Sequence, residues 1–127
     1  MSDQNFIYSE TLDSAYLTQF YGNDVSRAAM MFQVFLQVID GEVSTLQKHK
    51  ESEDWNAFSA QAHKIKPNFM MVGLAELSEL MKLFEGAKNE EDLRKMISLQ
   101  FNEVKNQVEN GKKLIEKELH RLKEFNV

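Results

Sequence analysis

The stretch WNAFSAQAHKIKPNFMMVG, residues 55–73, decides the fold. Trp55, Phe58, Ala62, Ile65, Phe69 and Val72 recur at spacings of three and four, the period of a helix that lays one face on a core. Glu53 or Asp54 stands where such a helix needs its cap, and Gly73 where it needs its stop.

Working outward, Ala28, Met31, Phe32, Phe35, Ile39, Val43 and Leu46 mark a long preceding helix, capped by Asn23 or Asp24 and ended by the polar run Lys48 to Glu53. Downstream, Leu74, Leu77, Leu80, Met81 and Phe84 predict a short helix closed by Gly86. From about Glu90, the near-heptad stripe Leu93, Ile97, Phe101, Val104, Val108, Ile115, Leu119 and Leu122 predicts a long one, with a gap at Gly111. Ahead of these, Leu12, Tyr16 and Phe20 fall four apart and suggest a short helix from Asp13 to Phe20, a lid on one end. Residues 1–12 read as a loose arm in which Phe6, Ile7 and Tyr8 can tuck against the bundle. Short connections favour antiparallel neighbours, so the expectation is a single all-α domain over 1–127: an antiparallel up-and-down four-helix bundle over 24–122 with a short additional N-terminal helix.

Composition agrees and excludes. Five glycines and one proline leave few turns, while good helix formers abound. A net charge of −5 argues against nucleic acid as a partner, because phosphate contacts need a surplus of Lys and Arg. The absence of cysteine removes disulfides and thiolate metal sites. The start MSDQNFIYSE lacks a signal-peptide pattern, and no apolar run approaches the roughly 20 residues that cross a bilayer. A cytoplasmic protein with no membrane association is expected.

Three histidines remain as candidates for chemistry. His49, in LQKHKESED, and His120, in EKELHRLKE, read as solvated surface residues. His63 follows the core position Ala62 directly, so it should stand at the border of the buried stripe, open to solvent. Lys66 is one helical turn away and Lys64 is beside it.

The segment AHKIKPNFMMVGL resembles the signature of histidine phosphotransfer (HPt) domains: an Ala-His pair, an aliphatic residue, a lysine three after the histidine and a glycine ten after it. Here these are Ala62, His63, Ile65, Lys66 and Gly73. The resemblance extends over roughly residues 24 to 88. It implies a phosphocarrier without kinase activity of its own, which accepts a phosphoryl group on His63 from a receiver-domain aspartate or a kinase and passes it to a response-regulator aspartate. The implied partners are response-regulator receiver domains and a sensor or hybrid histidine kinase. No cofactor of its own is implied, the Mg²⁺ being expected on the receiver. Imidazole is a competent nucleophile near neutral pH, and Lys66 can meet phosphoryl oxygens as a point charge while Lys64 adds a general positive field.

The pattern departs at Pro67, where family members commonly carry glycine. Both residues keep bulk low beside the imidazole. Proline, however, removes the amide that would bond the His63 carbonyl, at roughly 3 kcal/mol in a helix interior. A kink just past the site is expected, or else a helix that ends at Lys66 and restarts. Met70, seven residues past His63, offers either partner docking or rim packing.

Counting along two helices that meet near Gly73 puts His63 ten residues before the turn and Glu85 twelve after it, at similar heights. A hydrogen bond from Nδ1 to Glu85 would then leave Nε2 free to attack phosphorus. The family resemblance agrees in part, since members commonly place a glutamine near this position and chemotaxis-type domains a glutamate. The alternative is a solvated last-turn residue.

Two other classes compete. A helical-bundle adaptor or scaffold would share the fold without the relay, although His63 and Lys66 together count against it. A bundle metal site would need inward Glu-x-x-His sets, and none occurs. The Met1 start and the lack of an ATP-binding region favour a separate protein over a piece of a larger kinase. A monomer is expected, with the stripe past Val108 as the one feature able to drive dimerisation.

Overall fold

A computed structural model describes residues 5–125. Five α-helices appear among them and no strand: α1 (Ser14–Tyr21), α2 (Val25–Glu51), α3 (Trp55–Met70), α4 (Ala75–Phe84) and α5 (Glu91–Glu124), with a 3-10 turn at Ala87–Asn89 before α5. Of the candidate caps, Asp24 and Asp54 serve, and Asp13 caps α1 in the same way. Asp13, Asp24 and Asp54 each accept the backbone N–H three residues on, from Tyr16, Arg27 and Ala57, satisfying donors that a helix start leaves unpaired.

The fold is the expected all-α bundle, α2 lying against α3 and α5, and α3 against α4. The periodic residues point inward. Phe32, Phe58, Phe69, Phe84, Ile39, Ile65 and Ile97 are almost fully buried, and edge-on or tilted aromatic pairs join the helices, Phe35 with Phe69 and Phe58 with Phe84. Outside the core, Lys112 of α5 reaches both oxygens of Asp40 on α2, at 2.8 and 3.0 Å.

The four bundle helices differ in length. At about 1.5 Å per residue α2 spans about 40 Å and α5 about 50 Å, whereas α3 spans about 24 Å. The α3–α4 turn meets α5 at Gly111, where an added Cβ would stand 3.0 Å from Leu74 Cδ1. The gap in the stripe is therefore the place where the turn nests against an unbroken helix. Beyond it, α2 and α5 are completed by α1 and the N-terminal arm.

That arm is not loose over its described part, 5–12. Phe6, Tyr8 and Leu12 are buried while Ile7 faces water. The Ser9 N–H donates to the buried Glu118 carboxylate at 2.7 Å, Arg121 pairs with the same carboxylate, and its other nitrogen donates to the Ile7 carbonyl. The long helices outrun α3 and α4, and the arm covers the apolar surface so exposed; the expectation for residues 1–4 lies outside the described residues. In α1 the inward residues are Leu17 and Tyr21 rather than Tyr16 and Phe20. Leu12 precedes the Asp13 cap and so does not set the helical register, and Phe20 instead stacks on Tyr16 beneath the Arg27 guanidinium.

The Tyr8 hydroxyl is buried with no hydrogen-bond partner among the described residues, and burial together with nearby Glu118 pushes the phenol up to about 12. An unpartnered buried hydroxyl contributes nothing that a hydrogen would not. Tyr8→Phe should leave the melting temperature unchanged or raised, while Tyr8→Ala should cost about 3 kcal/mol or more by emptying the ring's site; paired thermal melts check both.

Candidate functional site

The site is built by the α3–α4 hairpin. After Met70 the chain turns through Gly73, whose φ of +76° favours glycine and whose added Cβ would stand 2.7 Å from Leu17 Cδ1. The Gly73 carbonyl also accepts the Asp13 N–H at 2.8 Å. Gly73 is thus a buried turn residue packed against the start of α1.

The hairpin's register brings together the residues that the sequence singled out. His63 Nδ1 lies 2.8 Å from Glu85 Oε1, and Lys66 Nζ donates to Glu85 Oε2 at 2.7 Å. One carboxylate at the end of α4 therefore holds both the imidazole and the lysine of α3. The His63 side chain remains 71% exposed, so the ring is held at one nitrogen and open to solvent. The Lys66 hydrogen bond draws the Glu85 carboxyl below its ordinary range, outweighing the opposing cost of burial, and the His63 hydrogen bond adds a lesser pull in the same direction. An ionised carboxylate only accepts, so the proton on this hydrogen bond belongs to Nδ1, and in the neutral ring Nε2 then carries the lone pair.

Lys66 is thereby not a free charge beside the histidine, and its first partner is Glu85. Lys64 lies on the outer face of α3, 68% exposed, and faces Glu42 of α2 at 3.7 Å. Pro67 sits inside α3, which continues to Met70, so the helix does not end at Lys66. The Ser78 hydroxyl donates to the Lys66 carbonyl at 3.3 Å beside this proline. Met70 is half-buried, as a rim residue is. His120 is exposed and pairs with Glu124 on its own helix, and His49 is half-buried at the end of α2.

Sequence reasoning missed several neighbours. Glu42 accepts the buried Gln61 amide through both its backbone and its carboxylate oxygens, each at 3.0 Å, and fastens α2 to α3. Ser59, buried one turn before His63, accepts the Lys88 N–H at 3.1 Å. On α2, Met30, Val34 and Val38 repeat every four residues yet are 58%, 42% and 38% exposed. Their spacing was visible, but nothing in it separated them from core residues. Among the described residues no group of three or more His, Asp or Glu side chains could hold a metal ion, and no helix is long and apolar enough to cross a membrane.

The family model for the Hpt domain matches residues 30–124, most of the chain, and the chain belongs to that family. Hpt domains are phosphocarriers that serve histidine phosphotransfer in phosphorelays and interact with receiver domains and kinases. Comparison with curated proteins and with solved structures finds no significant match.

Because the Glu85 carboxyl is drawn below the ordinary glutamate value of 4.5, its grip on the imidazole and on Lys66 is fully present above that pH. The grip is lost only as pH falls through the lowered value. In a ¹³C titration Glu85 should ionise below the ordinary glutamate value. Lys66→Met should move its midpoint up, and His63→Gln should move it less.

Proposed function

We propose that His63 is the phosphoryl acceptor, with Glu85 as its orienting carboxylate. The observation that carries this reading is the shared carboxylate: an exposed imidazole tethered at Nδ1, with Nε2 turned to solvent. In the forward step Nε2 attacks the phosphorus of a receiver's aspartyl phosphate. The P–Nε2 bond forms, the bond from phosphorus to the aspartyl oxygen breaks, and the aspartate leaves as carboxylate. Glu85 keeps the Nδ1 proton in place and balances the positive charge that develops on the ring. Lys66 can turn from Glu85 to the phosphoryl oxygens once these arrive, since its long side chain needs only a change of rotamer. The reverse step returns the group to a second aspartate. Mg²⁺ is assigned to the receiver, and this chain supplies the presented nucleophile and its two charged neighbours.

The docking face is assigned to the outer surface of α3, with His63, Lys64 and Pro67, and to the bordering edge of α2. Val38 and Val34 lie one and two turns before Glu42, which pairs with Lys64. Apolar side chains left in water on the helix that borders α3 suit a small, transient protein interface. The protein is proposed to act as a monomer, because Val108, Ile115, Leu119 and Leu122 are already buried within the one chain.

His63→Gln should keep helical content and melting temperature while abolishing acid-labile phosphate; continued labelling would reject the assignment, and a chain that acquired no phosphate even as wild type would instead suit an adaptor. The double substitution Val34→Asp with Val38→Asp should slow transfer from a phosphorylated receiver by about tenfold or more while leaving acceptance from a small-molecule phosphodonor unchanged. Equal effects on both donors would place docking elsewhere.

A further inference from the structure

Glu85 is not held by its own helix alone. It is the residue just past the end of α4, where backbone order is least secured, and the chain continues through Gly86 into the 3-10 turn Ala87–Asn89. Two features fasten that turn to α3. Ala87 is completely buried, and the next backbone amide, Lys88 N–H, donates to Ser59 Oγ at 3.1 Å. Ser59 itself is 4% exposed and stands one helical turn before His63 on the same side of α3. The contacts between the helices form a ladder. Ser78 meets the Lys66 carbonyl at the top, Glu85 meets His63 and Lys66 in the middle, and Lys88 meets Ser59 at the bottom.

We propose that Ser59 is a positioning residue for the phosphoacceptor: by accepting the Lys88 N–H it fixes the height at which the Glu85 carboxylate meets His63 Nδ1. The inference rests on the reading of His63 as the acceptor. The physical reason is leverage. A carboxylate reaching across to another helix keeps a 2.8 Å hydrogen bond only if its Cα is held, and upstream of Glu85 the last turn of α4 holds it from one side only. Downstream, the burial of Ala87 holds the turn against the core and the Ser59 hydroxyl sets its height on α3, by taking the Lys88 backbone proton. Without it the Lys88 amide loses a buried acceptor, the turn seeks water, and Glu85 moves with it. The imidazole, exposed on its other edges, then samples both neutral tautomers, and the fraction with Nε2 unprotonated falls. Serine suits the position because its hydroxyl accepts the amide proton, which an alanine would leave unpaired.

The test compares wild type with Ser59→Ala, Ser59→Thr and Val104→Ala, the last a core truncation in α5 that lowers stability without touching the turn. Long-range ¹H–¹⁵N NMR of the His63 ring reports the tautomer balance in the unphosphorylated protein, and amide exchange reports the Lys88 N–H. Wild type should show Nδ1 protonated and Lys88 protected. Ser59→Ala should keep its helical content, lose the protection and shift the ring toward the Nε2-protonated tautomer. Its phosphoryl acceptance from a small-molecule donor should slow by roughly fivefold, the equivalent of one neutral hydrogen bond. Ser59→Thr, which keeps the hydroxyl, should restore the tautomer balance, and Val104→Ala should leave it as in wild type. An unshifted tautomer in Ser59→Ala, or an unprotected Lys88 amide in wild type, overturns the proposal whether or not His63 takes phosphate. A shifted tautomer in a protein that never accepts phosphate leaves Ser59 its positioning role and overturns the phosphoacceptor reading instead.

Discussion

The turn at Gly73 sets the register on which everything at the site depends. Its left-handed backbone has room only for a hydrogen where Leu17 packs, and its carbonyl is claimed by the start of α1. The hairpin is thereby fixed at its turn, and α4 can pair with α3 in one alignment. A helical turn of slippage, about 5.4 Å, would carry Glu85 out of reach of the imidazole altogether. The hydrogen bonds between α3 and α4 are modest one by one, and the apolar packing of Phe58, Ile65, Phe69, Met81 and Phe84 makes the alignment cohesive.

On that frame the chemistry is sparse by design. Surface ion pairs are worth at most about 1 kcal/mol, so the Lys66–Glu85 and His63–Glu85 contacts contribute little to holding the protein together. Their value is directional. The carboxylate picks one tautomer of an exposed ring and holds a half-buried lysine beside it, which leaves the ring's other nitrogen open to solvent. A buried triad would bind its proton more firmly but could not be reached. A carrier must give its cargo up again, and weak, exposed, well-aimed contacts suit reversible transfer better than strong enclosed ones.

The remainder of the molecule solves a problem of unequal lengths. Helices α2 and α5 continue well past the hairpin, and their inner faces stay apolar as they do so. The arm and α1 cover that surface, with Glu118 and Arg121 meeting the arm's backbone and Phe6 and Tyr8 filling the space between the helices. Buried Glu118 is tolerable because its carboxylate has both a cation and a backbone donor. The stripe of α5 past Val108, which in isolation reads as a dimerisation seam, is used up within the chain.

The sequence by itself determined the helices, because the three-and-four spacing of Phe58, Ala62, Ile65 and Phe69 and its counterparts encode which face is buried, a local property. It also located His63, Lys66 and Glu85, since heights along antiparallel helices follow from counting residues about a tight turn. Only the tertiary structure decided how these side chains share their bonds: that Glu85 divides its two oxygens between His63 and Lys66, that Lys64 answers to Glu42, and that Ser59 holds the turn behind Glu85. Such pairings depend on the rotation of each helix about its axis and on the distance between axes, quantities set jointly by all the core side chains. The arm was hidden for the same reason. Phe6 and Tyr8 follow an alternating pattern too short to read, and the surface they cover comes into existence only when α2 and α5 outrun the hairpin between them.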